Sequence, residues 1–196
     1  MPRRTAEQAE QTRQAILRSA RQHFADEGFS NASLASIVNG AKVTKGALFH
    51  HFPNKLNLFQ EVWTDLQRGM DAEARVEARK AVNPDDPYAQ LLAGAKIYLK
   101  WAAKPAYYKI VLFEGPAVLG MQGWYESDRD IGQRNIRRSI RFLAEKGKID
   151  PARVTAYAVL VQSVLNGFGF ALGKGTDGLT PEAAHEAFEL MLRRLS

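Results

Sequence analysis

Apolar residues recur along this chain at intervals of three and four, and prolines separate one such stretch from the next. Leu34, Ile37, Val38 and Ala41 form an i, i+3, i+4, i+7 stripe. Val43, Ala47, Leu48 and Phe52 follow directly as a second apolar set at helical spacing. Pro53, Pro84, Pro87, Pro105, Pro116, Pro151 and Pro181 all fall between helical stretches. Asp86-Pro87, Asp150-Pro151 and Thr180-Pro181 read as a capping residue followed by proline in the first helical position. No alternating run bounded by hairpin turns is present. The pattern predicts an all-α protein of about nine helices, over 8–27, 34–41, 44–51, 54–82, 87–103, 105–113, 121–146, 151–173 and 180–195. No internal repeat or low-complexity segment interrupts it.

The two short stripes at 34–41 and 44–51 carry the most information. Helices this short are not stable alone, so each must dock on a neighbour. Two short docked helices joined by a tight turn make a helix-turn-helix, whose second helix would enter a DNA major groove. The outer face of that second helix is Thr44, Lys45, Gly46, Phe49 and His50. Thr44 reads as its N-cap, placing a hydroxyl and free backbone N–H groups at a positive dipole end that suits phosphate. Lys45 adds a charge, and Gly46 would let DNA approach the backbone. The alternative is a short surface helix whose polar residues are only solvated.

Charge is distributed unevenly. The 196 residues carry a formal net charge of +6. Residues 1–55 hold eight Lys/Arg against four Asp/Glu, and the remaining 141 hold nineteen against seventeen. A basic N-terminal region on a near-balanced body fits a nucleic-acid head, although a chance surplus would look the same without the motif. Residues 1–6 read as a basic tail in which Arg3 and Arg4 could reach a minor groove or simply be solvated.

Two further regions suggest assembly and ligand binding. Apolar residues lie on nearly every side of 154–172, so that helix must be covered all round. The helix over 180–195 carries a stripe at Ala184, Ala187, Phe188, Met191 and Leu195. Gly167, Ala171, Ala184, Phe188 and Met191 are therefore candidates for a four-helix homodimer interface; both helices could instead fill a monomer core. Large aromatics gather in the middle of the chain. Trp63, Trp101, Tyr108, Phe113 and Trp124, with Asn166 as a polar anchor, are candidates to line a pocket. Gln162 and Glu114 are further candidate anchors, and Asn166 could equally bond across a dimer interface.

Enzyme readings find little support. With no cysteine and only four histidines, none in an HExxH arrangement, no metal site is expected. The glycines at 167, 169, 173 and 175 miss the phosphate-loop spacing. No GxSxG elbow is present. Glu114, Glu126, Asp128 and Asp130 read as solvated carboxylates rather than a catalytic pair. No cofactor is expected. The polar first fifteen residues, and the absence of an apolar run of ~20 residues, point to a cytoplasmic protein with no membrane partner.

The stretch ASIVNGAKVTKGALFHHFPNK resembles the DNA-binding signature of the tetracycline-repressor (TetR) family of bacterial transcription regulators. Val43, Thr44, Lys45, Gly46, Leu48, Phe52, Asn54 and Lys55 match it. The helix from Thr12 to Glu27, closing at Gly28-Phe29, is similar to the family's first helix. Gly115 to Gly120 is a weaker echo. Lys42 stands where the family usually has glycine in a left-handed turn, at a cost of roughly 1 kcal/mol unless Gly40 takes up part of the turn. Phe49 stands in place of the usual tyrosine and loses its hydroxyl.

The resemblance implies a helix-turn-helix DNA-binding domain over 1–53 and a helical-bundle ligand-binding and dimerisation domain over 54–196. It implies a repressor that binds a palindromic operator in double-stranded DNA as a homodimer and is released by a small, largely apolar effector. Ser33, Thr44, Lys45, His50 and Lys55 would hold phosphates, with Lys45, Gly46 and Phe49 nearest the bases. An architectural DNA binder without an effector, and an enzyme with a borrowed head, are the alternatives.

Overall fold

The computed structural model describes residues 2–83 and 85–195, without the side chains of 2–5 and 127–130. The expectations for Arg3 and Arg4 and for Asp128 and Asp130 lie outside the described residues. The helices are α1 (Pro2–Asn31), α2 (Leu34–Ala41), α3 (Lys45–His51), α4 (Lys55–Lys80), α5 (Ala89–Ala102), α6 (Pro105–Tyr107), α7 (Gly115–Asp128), α8 (Arg134–Glu145), α9 (Val154–Lys174) and α10 (Pro181–Arg194). Tyr108–Glu114 and Arg129–Gln133 are wound as π-helix, and no strand occurs among the described residues.

Side-chain caps start α2, α3, α4 and α10, whereas α5, α6, α8 and α9 begin without one. Asp86 accepts the Tyr88 N–H at 3.0 Å, Asp150 that of Ala152 at 2.9 Å and Thr180 that of Ala183 at 3.1 Å. Asp150 and Thr180 therefore cap as expected, whereas Asp86 closes only the turn before α5, which starts at Ala89 with Tyr88 in the cap position and no side-chain cap. Gly28 breaks α1 where expected, with φ 81° and ψ 167°.

The stretch 114–120, read as a connection, is helical instead. Pro116 falls in the first turn of α7, where its missing N–H is not needed. The break comes at Gly120, with φ 73° and ψ 153°. The helix over 8–27 also begins earlier, at Pro2.

Lys42 does take the left-handed conformation, φ 57° and ψ 41°, and is the only non-glycine with positive φ among the described residues. Gly40 takes up none of that turn. It lies within α2, and a Cβ there would sit 2.5 Å from Ser19 Oγ. Its role is close approach to α1, where Ser19 also donates to the Ile37 carbonyl at 2.8 Å.

Two apolar cores organise the molecule. The first joins Ile16, Phe24, Ile37, Leu48 and Phe52 of α1–α3 to Phe59, Val62 and Trp63 of α4, and onward to Ile110, Val111 and Trp124. No apolar break separates head from body. The second gathers Leu92, Leu99, Ile140, Leu143, Val161, Leu165, Ala184 and Phe188.

Candidate DNA-binding face and internal cavity

Helix α3 is held by its inner side. Leu48 is fully buried, while Thr44, Lys45, Gly46, Phe49 and His50 are exposed. Thr44 Oγ1 accepts the Ala47 N–H at 3.1 Å, and Ser33, also exposed, caps α2 by accepting from Ser36 at 2.9 Å. Lys45 Nζ lies 5.8 Å from the centre of the Phe49 ring, one turn away. A Cβ on Gly46 would meet only Thr44 Oγ1, at 3.9 Å. The fold makes no demand for glycine there, which leaves approach by an outside molecule as its physical use.

Lys55 stands differently from Lys45. Its Nζ donates to the Ser30 carbonyl at 3.2 Å and sits 4.8 Å above the Phe29 ring. It therefore ties the start of α4 to the end of α1, besides any role on DNA. His51 is half-buried, and its pKa is lowered from 6.5 by burial first, then by His50 and Arg13.

The body contains a cavity of about 830 Å³ lined by α4, α5, the π-helical segment, α7, α8 and α9. Of the six residues expected to line a pocket, Trp124 and Asn166 do so. Trp63 is fully buried behind the wall, and its indole donates to the Val111 carbonyl at 3.4 Å. Trp101 faces Glu73, donating at 2.6 Å, and packs edge-on to Tyr107. Tyr108 packs on Gly173, where it leaves no room for a Cβ, and Phe113 is exposed. Helical periodicity alone does not distinguish an aromatic in the wall from one behind it.

The cavity's polar groups were partly missed. Gln67 accepts from the Tyr107 hydroxyl, and the Asp71 carboxylate accepts from the Asn135 amide. The signal for Gln67 was present: a polar residue in the buried stripe of Val62, Trp63, Leu66 and Met70. Gln162 and Asn166 pair at 3.0 Å, with the Tyr98 hydroxyl 3.4 Å from Asn166 Oδ1. Gln162 Oε1 is buried and accepts nothing among the described residues. Glu114 does not face the cavity; it accepts the Phe29 N–H at 2.7 Å and pairs with Lys109 at 3.6 Å.

One feature of the wall follows from its winding. A π-helix pairs carbonyl i with N–H i+5; extended to Val111, that register calls on residue 116, a proline. The Val111 carbonyl instead receives two indoles, Trp124 at 3.1 Å and Trp63 at 3.4 Å. Gly115 makes room for both, since a Cβ there would lie 2.9 Å from Trp63 Nε1.

The residues expected at a homodimer interface divide. Ala184 and Phe188 are fully buried in their own chain's second core, so they are not available to a partner. Met191 and Ala171 are half-buried, and Gly167 is exposed with open space around it. The apolar residues left uncovered are Val159 (60% exposed), Leu160 and Phe170 on α9 and Leu190 (62%) on α10. The stripe on α10 therefore faces its own chain's core, and Leu190 lies on the uncovered side of the helix. Contrary to expectation, Pro151–Lys174 is long and apolar enough to cross a membrane by length and composition. It carries Gln162, Ser163 and Asn166 at mid-length and packs its inner face on the second core.

Residues 16–62 match the family model "Bacterial regulatory proteins, tetR family", and residues 88–195 match "Tetracyclin repressor-like, C-terminal domain". The probable acrEF/envCD operon repressor of Escherichia coli K12 is 38% identical over 104 residues, 53% of this chain and 46% of that protein. The transcriptional regulator AcrR of Shigella flexneri is 40% identical over 91 residues, 46% of this chain and 41% of that protein. The matches thus span less than half the length of these relatives. A crystal structure of a TetR-family regulator from Pectobacterium atrosepticum superposes with TM-score 0.75 at 29% identity, covering 96% of both chains.

Proposed function

Because this chain belongs to the TetR family of bacterial regulators, we propose that it is a repressor that binds a palindromic operator as a homodimer and is released by a small molecule held in the cavity. The observation that carries the DNA reading is the face of α3. Thr44, Lys45, Gly46, Phe49 and His50 are exposed together on a helix whose position is fixed by a fully buried Leu48. In a dimer the two recognition helices would stand about 34–36 Å apart, facing successive major grooves.

The dimer would form through the uncovered faces of α9 and α10, with Val159, Leu160, Gly167, Phe170 and Leu190 at its centre. Release would run through α4, whose first half belongs to the head's core while Gln67, Met70, Asp71 and Arg75 line the cavity. A ligand that prefers one setting of α4 shifts the population of head spacings. A cavity of this size disfavours a purely architectural DNA binder.

The test is selection of bound duplexes from a random library, with the full chain. Enrichment of an inverted repeat with half-sites one helical turn apart supports the reading. Recovery of no preferred sequence, or of a single half-site, contradicts it.

A further inference from the structure

The charges around the cavity are lopsided. Among the described residues, five charged side chains line it: Arg75, Arg79, Arg134 and Arg138 against Asp71. Asp71 is engaged by Arg75 at 2.8 Å and by the Asn135 amide. Arg79, Arg134 and Arg138 make no ion pair among the described residues. All three are exposed, so they mark the mouth of the cavity, where α4 and α8 meet solvent. Asp71 is the more buried charge, its side chain 15% exposed and paired with Arg75; the Gln162–Asn166 pair, Trp124 and Leu165 add neutral walls.

This arrangement works against the folded chain on its own. Arg134 and Arg138 are one turn apart on α8, and Arg79 lies one turn beyond the Asp71-paired Arg75 on α4. Like charges at that spacing repel, and low-dielectric walls concentrate their field. An oxyanion relieves the repulsion, and guanidinium groups match the oxygens of carboxylate, sulfonate and phosphate in paired hydrogen bonds. Inside, the buried Gln162 Oε1 lacks a donor, and a hydroxyl or N–H on the ligand would satisfy it.

We propose that the cavity takes an amphipathic anion: a ring-bearing body against Trp124 and Leu165, and one oxyanion group at the mouth held by Arg79 and Arg138. This deepens the effector reading of the same cavity and rests on it for its regulatory consequence.

Two fluorescent probes of nearly the same shape test it. 8-Anilinonaphthalene-1-sulfonate carries an anionic group, and N-phenyl-1-naphthylamine is its neutral counterpart. The full chain should bind the sulfonate at least about ten-fold more tightly at low salt, as expected of charge-assisted hydrogen bonds. Arg79→Gln with Arg138→Gln should bring the two dyes within about three-fold by weakening only the sulfonate. Gly94→Trp, at a lining position where a Cβ meets nothing within 4 Å, should block both dyes and so show that they sit inside. Unchanged melting would confirm that each variant folds.

Equal binding of both dyes, blocked by Gly94→Trp, overturns the anion proposal and leaves the effector cavity standing. A dye ratio that survives loss of both arginines overturns it as well. Sulfonate binding that persists in Gly94→Trp places the dye on another surface and overturns it too. Binding of the neutral dye alone overturns the anion proposal, and failure of both dyes to bind the unaltered chain overturns the proposal and the effector reading together.

Discussion

Glu114 accepts the backbone N–H of Phe29 at 2.7 Å, across eighty-five residues of sequence. Phe29 follows the glycine that breaks α1, and Glu114 closes the π-helical segment that supplies Val111 and Leu112 to the cavity wall. The head and the cavity are therefore joined by a charge-assisted hydrogen bond as well as by α4. Gly28 is required beside it, because φ is 81° and a Cβ would lie 2.5 Å from the Glu114 carboxylate. Glu114→Ala leaves a partly buried N–H unpaired and should cost about 1.5–3 kcal/mol. Glu114→Gln keeps an acceptor and should recover much of that. Urea denaturation of both variants measures the difference.

Lys42 occupies a left-handed position without the advantage of glycine. Lys42→Gly should raise stability by about 0.5 kcal/mol, the relief of strain being partly offset by the freer unfolded chain. A rise in melting temperature checks this, and a fall would mean that the lysine side chain contributes more than its backbone costs.

Phe188 and Leu190 are two residues apart and should behave oppositely. Phe188→Glu buries a carboxylate in the chain's own core and should unfold it. Leu190→Glu places the charge on an exposed face, so the chain should keep its helicity but sediment as a monomer. A Leu190→Glu variant that stays dimeric moves the interface off α10.

His51 gives a pH dependence. Burial, His50 and Arg13 lower its folded pKa below the unfolded 6.5. The unfolded chain then binds more protons in the window between those values, so stability is fully present above pH 6.5 and declines as pH falls through the lowered value. Denaturation midpoints in free protein should drop on acidification through that window, and His51→Gln should flatten the drop.

Much of this molecule was legible in its residues because local chemistry determined it. The Asp150-Pro151 and Thr180-Pro181 caps, the Gly28 break and the Lys42 turn each depend on one or two side chains and a backbone angle. The 114–120 connection was misread because proline usually ends a helix, and nothing local shows that a π-helical segment hands over to a new first turn at Gly115. The cavity was half legible. Asn166 and Gln162 stand out in an apolar helix, but whether Trp63 or Trp124 faces the space depends on which side of Val111 each reaches. A stripe on α10 shows that a face is covered, not by what; Ala184 and Phe188 lie on the face that α10 packs against α5 and α9 of the same chain.

The central claim is that the exposed face of α3 meets DNA phosphates. The direct measurement is the salt dependence of affinity for the selected duplex, compared between the unaltered chain and Lys45→Ala. A logarithmic slope well below zero, made less steep by about 1 in the variant, is the predicted result. A slope near zero for the unaltered chain, or an identical slope and affinity for Lys45→Ala, would contradict it.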